Sequence, residues 1–470
     1  MIKPMNTTPS CAIGDSYCPA TRKALPDATQ NACKLCTPLG ACLAFAGIRG
    51  CLTILHGSQG CATYIRRYLI SHFREPMDIA SSSFSEEDAV FGGGRNLKRG
   101  ISNVAEAYSP EVIGVATTCL AETIGEDVPA ILREYKIELP EGAPNPLLVH
   151  VSTPSYSGDH SEGFHAAVKA LVEQLGRCEE MGVHVNVMPG MVSCEDIRHL
   201  KDVLKSFHLD DVMMPDYSDT LDGGSWDEYQ RIPQGGTSLE QIKRTGSAKA
   251  SIEFGSNFSK RGSAAISLES QFGVKRHSLP MPIGIRATDA FFDVLEELSG
   301  LKTHDDFIKE RSRLVDSYVD GHKYLYGKTA AIFGDPDMVV SIAGFLSEIG
   351  IKPIICATGS KCEDFTGAVQ SNLVKEQCDI FCLSGADHAA IAETCRKAQP
   401  DLLIGNSKGY PIARELGVPL IRCGLPVHDR IGSQRILHLG YRGTQRLFDQ
   451  IVNMILDTRQ DASDIGFSYL

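Results

Sequence analysis

Short apolar runs recur along this chain, each preceded or followed by a stretch of helical period, and that alternation leaves few folds open. Val112-Ile-Gly-Val-Ala-Thr, Leu147-Leu-Val-His-Val-Ser and Val183-His-Val-Asn-Val-Met read as strands, with a helix over Gly163 to Leu175. The rhythm sharpens after residue 320. There Thr329-Ala-Ala-Ile-Phe, Lys352-Pro-Ile-Ile-Cys, Asp379-Ile-Phe-Cys-Leu, Asp401-Leu-Leu-Ile and Pro419-Leu-Ile-Arg-Cys read as strands, with helices over Met338 to Ile349 and Thr444 to Leu456. Strands alternating with helices imply parallel sheets flanked by helices. A chain of 470 residues exceeds one simple core, so the expectation is an α/β fold of three doubly wound, Rossmann-like modules. Their expected spans are a polar N-terminal arm over 1–30, a cysteine-bearing module over 31–180, a middle module over 181–320 and a C-terminal module over 321–470. Residues 215–247, rich in Asp, Ser, Gly and Tyr, are expected to form an excursion over the surface.

Composition narrows the function. The formal net charge of −12 argues against a nucleic-acid binder, because phosphate contacts need a basic face. No stretch approaches the roughly 20 apolar residues of a membrane span, and the first ten residues lack a signal peptide's apolar core, so the cytoplasm is the expected compartment. There is no Gly-x-x-x-x-Gly-Lys-Ser/Thr loop and no clean Gly-x-Gly-x-x-Gly after a strand, so ATP or NAD binding by this chain is not expected. Sixteen cysteines in a reducing compartment point to metal binding or burial rather than disulfides. Cys356, Cys378, Cys382 and Cys423 sit in strand-like runs and are expected in the core, where cysteine acts as a small hydrophobe.

Three cysteines stand apart: Cys36 in Cys-Thr-Pro-Leu-Gly-Ala, Cys61 in His-Gly-Ser-Gln-Gly-Cys and Cys119 in Thr-Thr-Cys-Leu-Ala-Glu. Glycine beside a thiolate lets backbone N–H groups approach sulfur, as the charge of an iron–sulfur cluster requires. On that ground Cys36, Cys61 and Cys119 are the candidate metal ligands. They are 25 and 58 positions apart, so only a fold that gathers separate loops can unite them. Three thiolates leave one place of the usual four for another residue or another chain. The competing reading makes them small residues under tight turns. A second alternative places Cys33 and Cys36, with Cys11 and Cys18, in a zinc site or a redox pair. His56 is expected to donate a hydrogen bond under the Cys61 turn, and His72 to join Arg74 and Glu75 in an ion-paired interface. Arg66, Arg67 and Arg74 either offset a cluster's charge or form a solvated helix face. Gly334-Asp-Pro-Asp, Gly405-Asn-Ser-Lys-Gly and Pro426-Val-His-Asp-Arg fall after strands, as ligand-crevice loops or as turns and helix caps.

Together with His72-Phe-Arg-Glu-Pro76, Ala89-Val-Phe-Gly-Gly93, Thr153-Pro-Ser155, His428-Asp-Arg430 and Leu439-Gly-Tyr441, these motifs resemble the β-type subunits of the nitrogenase component 1 superfamily, from about residue 31 to the end. Pro215-Asp-Tyr-Ser-Asp-Thr-Leu-Asp-Gly223, Tyr229-Gln-Arg-Ile-Pro-Gln-Gly-Gly236 and the closing Gly466-Phe-Ser-Tyr look most like NifN, the scaffold β subunit of iron–molybdenum cofactor assembly. The resemblance implies an α-type partner, NifE-like or NifD-like, in an α2β2 heterotetramer, with an ATP-hydrolysing iron protein as electron donor. It implies an iron–sulfur cluster shared with the α subunit, either 4Fe-4S or a P-cluster-type 8Fe-7S centre. Ser155 stands where catalytic β subunits have a serine near the eight-iron cluster, and is a candidate cofactor-binding residue. The proteobacterial scaffold β subunit keeps only the cysteine of His-Gly-Ser-Gln-Gly-Cys, whereas all three positions are filled here. The alternative is therefore the β subunit of a working nitrogenase or nitrogenase-like reductase, such as methylthio-alkane reductase.

Overall fold

A computed structural model describes residues 29–255, 262–375 and 379–465. Cys11, Cys18, Cys378 and the closing Gly466-Phe-Ser-Tyr lie outside them. The chain forms three all-parallel sheets flanked by helices, as the alternation of strand and helix implies. The first sheet contains β1 (Cys51–His56), β2 (Ile79–Ser81), β3 (Val112–Thr117) and β4 (Leu147–Val151), in the order β2-β1-β3-β4. The second contains β5 (Val185–Met188), β6 (Asp211–Met213), β7 (Ala250–Phe254) and β8 (Lys275–Leu279), ordered β6-β5-β7-β8. The third contains β9 (Thr329–Gly334), β10 (Lys352–Thr358), β11 (Phe381–Ser384), β12 (Leu402–Gly405) and β13 (Leu420–Arg422), ordered β11-β10-β9-β12-β13. In each sheet the order reverses beside the first strand, which opens a crevice between β1 and β3, β5 and β7, and β9 and β12 at their carboxyl ends.

Helix α1 (Thr37–Ala46) carries nine buried residues out of ten, the signature of a helix with no solvent face. It crosses the His160–Leu175 helix with backbone nearly touching backbone. A Cβ on Gly40 would lie 2.6 Å from the Phe164 nitrogen, and one on Gly163 would fall 1.9 Å from the Thr37 carbonyl oxygen. Glycine at both positions makes this crossing possible.

The expected surface excursion is corrected by the structure. Tyr217 and Ser218 are fully buried, Leu221 and Thr237 nearly so, and Thr220 Oγ1 donates to the Ala46 carbonyl at 2.7 Å. Asp216 N–H donates to Gly47 O at 3.2 Å. Several polar residues of this segment satisfy buried backbone groups where the first and second modules meet; its centre, near 224–234, approaches solvent, as do Asp219, Glu240 and Lys243.

Buried polar contacts join the modules. Asp196 accepts from the backbone N–H groups of His438 (2.6 Å) and Leu439 (3.0 Å), and lies 3.2 Å from His438 Nδ1. His72 is buried and accepts the Val427 N–H at 3.0 Å. Burial drives its pKa down to about 3, so the expected ion pair of His72 with Arg74 and Glu75 gives way to a neutral imidazole that anchors the third module. Arg74 donates to the His428 carbonyl at 3.0 Å. Cys356 and Cys423 are core residues, while Cys382 on β11 is half-buried.

Candidate functional site

The β1/β3 crevice receives all four candidate residues. Cys36 is the N-cap residue of α1. Cys61 lies in the first turn of α2 (Gln59–Phe73), which follows β1, and Cys119 opens the short helix that follows β3. Ser155 lies in the turn after β4. Ser155 N–H donates to Cys119 Sγ at 3.2 Å, and Thr37 N–H donates to Ser155 Oγ at 3.1 Å, so this serine bridges the Cys119 turn and the start of α1.

All three thiols are half-buried. Burial pushes the Cys36 thiol up to about 11, a Leu39 N–H pulls it back in part, and Cys61 and Cys119 add to the rise because like charges repel. Burial also raises Cys61, with Cys119 again contributing. The three sulfurs therefore feel one another. Among the described residues no three His, Cys, Asp or Glu side chains are placed to hold a single metal ion. Thiols that interact without converging on one point suit a polynuclear group, in which each thiolate binds a different iron. The donor set is soft sulfur, and the N-termini of α1 and α2 favour the charged form. These residues fit an iron–sulfur cluster.

The glycines act otherwise than expected. Gly60 has open space around it, its nearest neighbour for a Cβ being Ser58 Oγ at 3.7 Å. The N–H groups that reach these sulfurs belong to Leu39, to Ser155 and to Cys36 and Cys61 themselves, and none is a glycine's. Gly57 is the constrained position: its φ is +151°, and a Cβ there would lie 1.8 Å from Thr118 Oγ1. Thr118 Oγ1 in turn donates to the His56 carbonyl at 3.1 Å. Glycine at 57 lets the Cys61 turn lie directly on the Cys119 turn.

Beneath these turns His56 is fully buried, with Nδ1 3.0 Å from Ser82 Oγ and Nε2 3.2 Å from Glu126 Oε2. Ser82 Oγ accepts the Gly57 N–H at 2.9 Å, so His56 supports the Cys61 turn through Ser82 rather than by a direct bond. Burial lowers its pKa against the opposing pull of Glu126. Glu126 also accepts the Gly93 N–H at 2.6 Å. That bond ties in the Glu86–Phe91 helix, whose Val90 and Phe91 are 75% and 82% exposed. Of the arginines, Arg66 turns to the Met77 carbonyl and Asp78, and Arg74 to the third module. Arg67 remains beside Tyr64, which itself senses Cys36.

Among the described residues Cys33 and Cys36 share no metal-ligand group. Cys33 is 4% exposed in the second crevice, between β9 and β12, where burial pushes its thiol up to about 12. The loops after β9 and β12 are turns and caps filled by the chain itself. Asn406 caps Lys408 N–H at 3.1 Å, and Asp335 Oδ1 lies 2.8 Å from His160 Nε2. Sequence reasoning missed this second crevice's occupant, residues 30–35; the only signal was the placement of polar loops after consecutive strands.

Comparison with known proteins gives one concordant result. The family model for nitrogenase component 1 type oxidoreductases matches residues 36–456. The chain is 37% identical over 441 residues to the nitrogenase molybdenum-iron protein beta chain of Clostridium pasteurianum, covering 91% of this chain and 93% of that one. It is 37% identical over 431 residues to the protein of the same name from Methanothermobacter marburgensis, covering 90% and 93%. It is 36% identical over 449 residues to that of Methanococcus maripaludis, covering 93% and 96%. Among solved structures it matches a chain of nitrogenase Cp1 at pH 6.5 with a TM-score of 0.89 and 35% identity, over 96% of this chain and 97% of that one. A chain of nitrogenase Cp1 at pH 5 shares the fold, with a TM-score of 0.69 and 16% identity over 94% and 92%.

Proposed function

The chain belongs to the nitrogenase component 1 family, and from that premise we propose that it is the β-type subunit of a working component 1, paired with an α-type subunit in an α2β2 heterotetramer. The observation that carries this reading is the meeting of Cys36, Cys61, Cys119 and Ser155 in one half-open crevice. A scaffold subunit of cofactor assembly was the first expectation from the sequence. The relatives are named as molybdenum-iron protein beta chains, and a crevice with every thiol position filled favours the reductase alternative.

Cys36, Cys61 and Cys119 would hold this chain's half of a P-cluster-type centre, with Ser155 as a conditional ligand. Such a centre, when bound, supplies one-electron storage and transfer. Ser155 N–H and Leu39 N–H stabilise thiolate charge at Cys119 and Cys36, which shifts electron affinity. Gly57 and His56 hold the two turns in register. Val90 and Phe91 offer an ATP-hydrolysing iron protein a dry contact tied to the Cys61 turn through Gly93, Glu126 and His56.

The test is turnover. The anaerobically purified complex of this chain with its α partner, supplied with iron protein, ATP and reductant, is expected to reduce acetylene or a methyl thioether. A complex that binds iron and accepts electrons but turns over neither substrate nor protons would restore the scaffold reading.

A further inference from the structure

Residues 30–36 run across the carboxyl edge of the third sheet before Cys36 enters the first crevice. Every step of that crossing is held. Gln30 N–H donates to Asp387 Oδ2 at 2.6 Å, and His388 N–H donates to the Asn31 carbonyl at 3.0 Å. Ala32 pairs with Asp387 in an isolated antiparallel bridge. Lys408 Nζ donates to the Ala32 carbonyl at 3.0 Å. Cys33 lies so close to Gly359 that a Cβ there would be 2.5 Å from the Cys33 carbonyl group. Leu35 N–H then donates to His160 Nδ1 at 3.3 Å, one residue before Cys36.

Most of the held groups are backbone atoms, and the buried Cys33 and Leu35 side chains add packing that fixes the segment's path. The holding groups come from the loops after β10, β11 and β12 and from the helix packed on α1. Cys36 has no strand of its own to place it, whereas Cys61 and Cys119 each follow a strand of the first sheet within five residues. Its position comes from what precedes it, from α1 behind it and from the turn after β4, where Ser155 Oγ accepts the Thr37 N–H at 3.1 Å.

We propose that the third module positions the Cys36 thiolate through this splint, with Lys408 and Gly359 as positioning residues for a ligand more than three hundred positions away in sequence. The inference rests on the cluster-binding reading of Cys36, and it extends that reading by making one ligand's placement depend on a different module from the other two. Lys408 anchors the splint by its ammonium at Ala32. Gly359 leaves the space in which Cys33 lies. Replacing either loosens residues 32–35 between the anchors at Asp387 and His160, so that Cys36 loses its fixed approach to the crevice while Cys61 and Cys119 keep theirs.

The experiment uses the complex with the α partner in two states. In iron-free complex, alkylation by iodoacetamide is followed by peptide mass mapping, with Cys61 in the same molecule as internal standard. The ratio of Cys36 to Cys61 modification rates is expected to rise several-fold in Lys408→Met and in Gly359→Ala, and to stay at the wild-type value in Lys408→Arg. In iron-loaded complex the same two variants are expected to shift the midpoint potential or line shape of the cluster's electron paramagnetic resonance signal. Those shifts are expected to vanish when the variants are compared within a Cys36→Ala background. An unchanged ratio in both variants, with melting temperature confirming a folded chain, overturns the proposal. So does a spectral shift that persists undiminished without Cys36, since Lys408 and Gly359 would then act on the cluster by a route other than that thiolate. If the wild-type complex holds no iron, the cluster reading fails, yet the alkylation ratio still decides whether the splint places Cys36.

Discussion

The first and third sheets reverse their strand order in the same way and open equivalent crevices, yet one gathers three thiols and a serine and the other is filled by the chain itself. At the β1/β3 crevice three half-buried thiols face one another with Ser155 between the turns. At the β9/β12 crevice residues 30–35 occupy the equivalent place, Lys408 is engaged with Ala32, and His160 lies against Asp335. Topology fixes where a ligand can sit; the residues on the turns decide whether one does. The filled crevice also serves the open one, because the segment that fills it leads directly to Cys36.

The largest effect should come from emptying the open crevice of one thiol. Cys61→Ala is expected to remove cluster iron and cut iron-protein-dependent turnover more than about a hundredfold, exceeding the 10–100-fold typical of outer-shell changes. Circular dichroism should show the sheets intact. Retention of full iron content would break the ligand assignment.

Next comes the filled crevice. Asp335→Asn takes the nearer carboxylate from the buried His160 and leaves only Asp159, 3.9 Å from Nδ1; breaking a buried pair typically costs about 3–5 kcal/mol. Burial is the largest influence and alone would lower the His160 pKa, but Asp335 at 2.8 Å and Asp159 at 3.9 Å together outweigh it and the pKa is raised. A raised histidine contributes stability in full below its ordinary value of about 6.5, and loses it as pH climbs through the higher folded value. The gap between wild type and Asp335→Asn in urea denaturation should therefore be widest in mild acid and narrow with increasing pH. A gap that widens above neutrality would contradict the pairing.

A smaller effect separates the two glycines of the Cys61 motif. Gly57→Ala places a Cβ against Thr118 at a positive φ and should cost about 1–3 kcal/mol while impairing cluster loading. Gly60→Ala enters open space at a helix start and should change stability by less than about 1 kcal/mol. Equal losses would mean that the contact of the two turns is not what requires Gly57.

The mildest effect is a pH dependence confined to the open crevice. Because burial pushes Cys36 up to about 11, iron must displace its proton at neutral pH. Loading of the iron-free complex should strengthen with rising pH, by about tenfold per unit for each proton released. Cys36→Ala should lower that slope, and an unchanged slope would remove Cys36 from the set.

Much of this architecture was legible in the sequence because strand and helix periods are local. The runs at Val112, Leu147, Thr329, Lys352 and Asp401 became β3, β4, β9, β10 and β12 within one or two residues. The segment over 215–247 was misread because Asp, Ser and Gly mark buried backbone-satisfying turns as readily as solvent loops, and only tertiary contacts distinguish them. The grouping of Cys36, Cys61 and Cys119 came from their Gly-rich or small-residue settings, with the family resemblance added to that, since no spacing rule joins residues on three separate turns. The glycines of the cysteine motifs were read as letting N–H groups approach sulfur; the groups that require glycine at 40 and 57, His160 and Phe164 for one and Thr118 for the other, lie more than fifty positions away. The splint was invisible for the same reason: its anchors, Lys408 and Gly359, look like ordinary loop residues.

The most direct test of the central claim is the iron and acid-labile sulfide content of the αβ complex purified without oxygen. A brown complex with both elements bound in near-equal amounts, and a paramagnetic signal that changes on oxidation, is the result predicted. A colourless complex containing neither, from chains that are folded and paired, would contradict it.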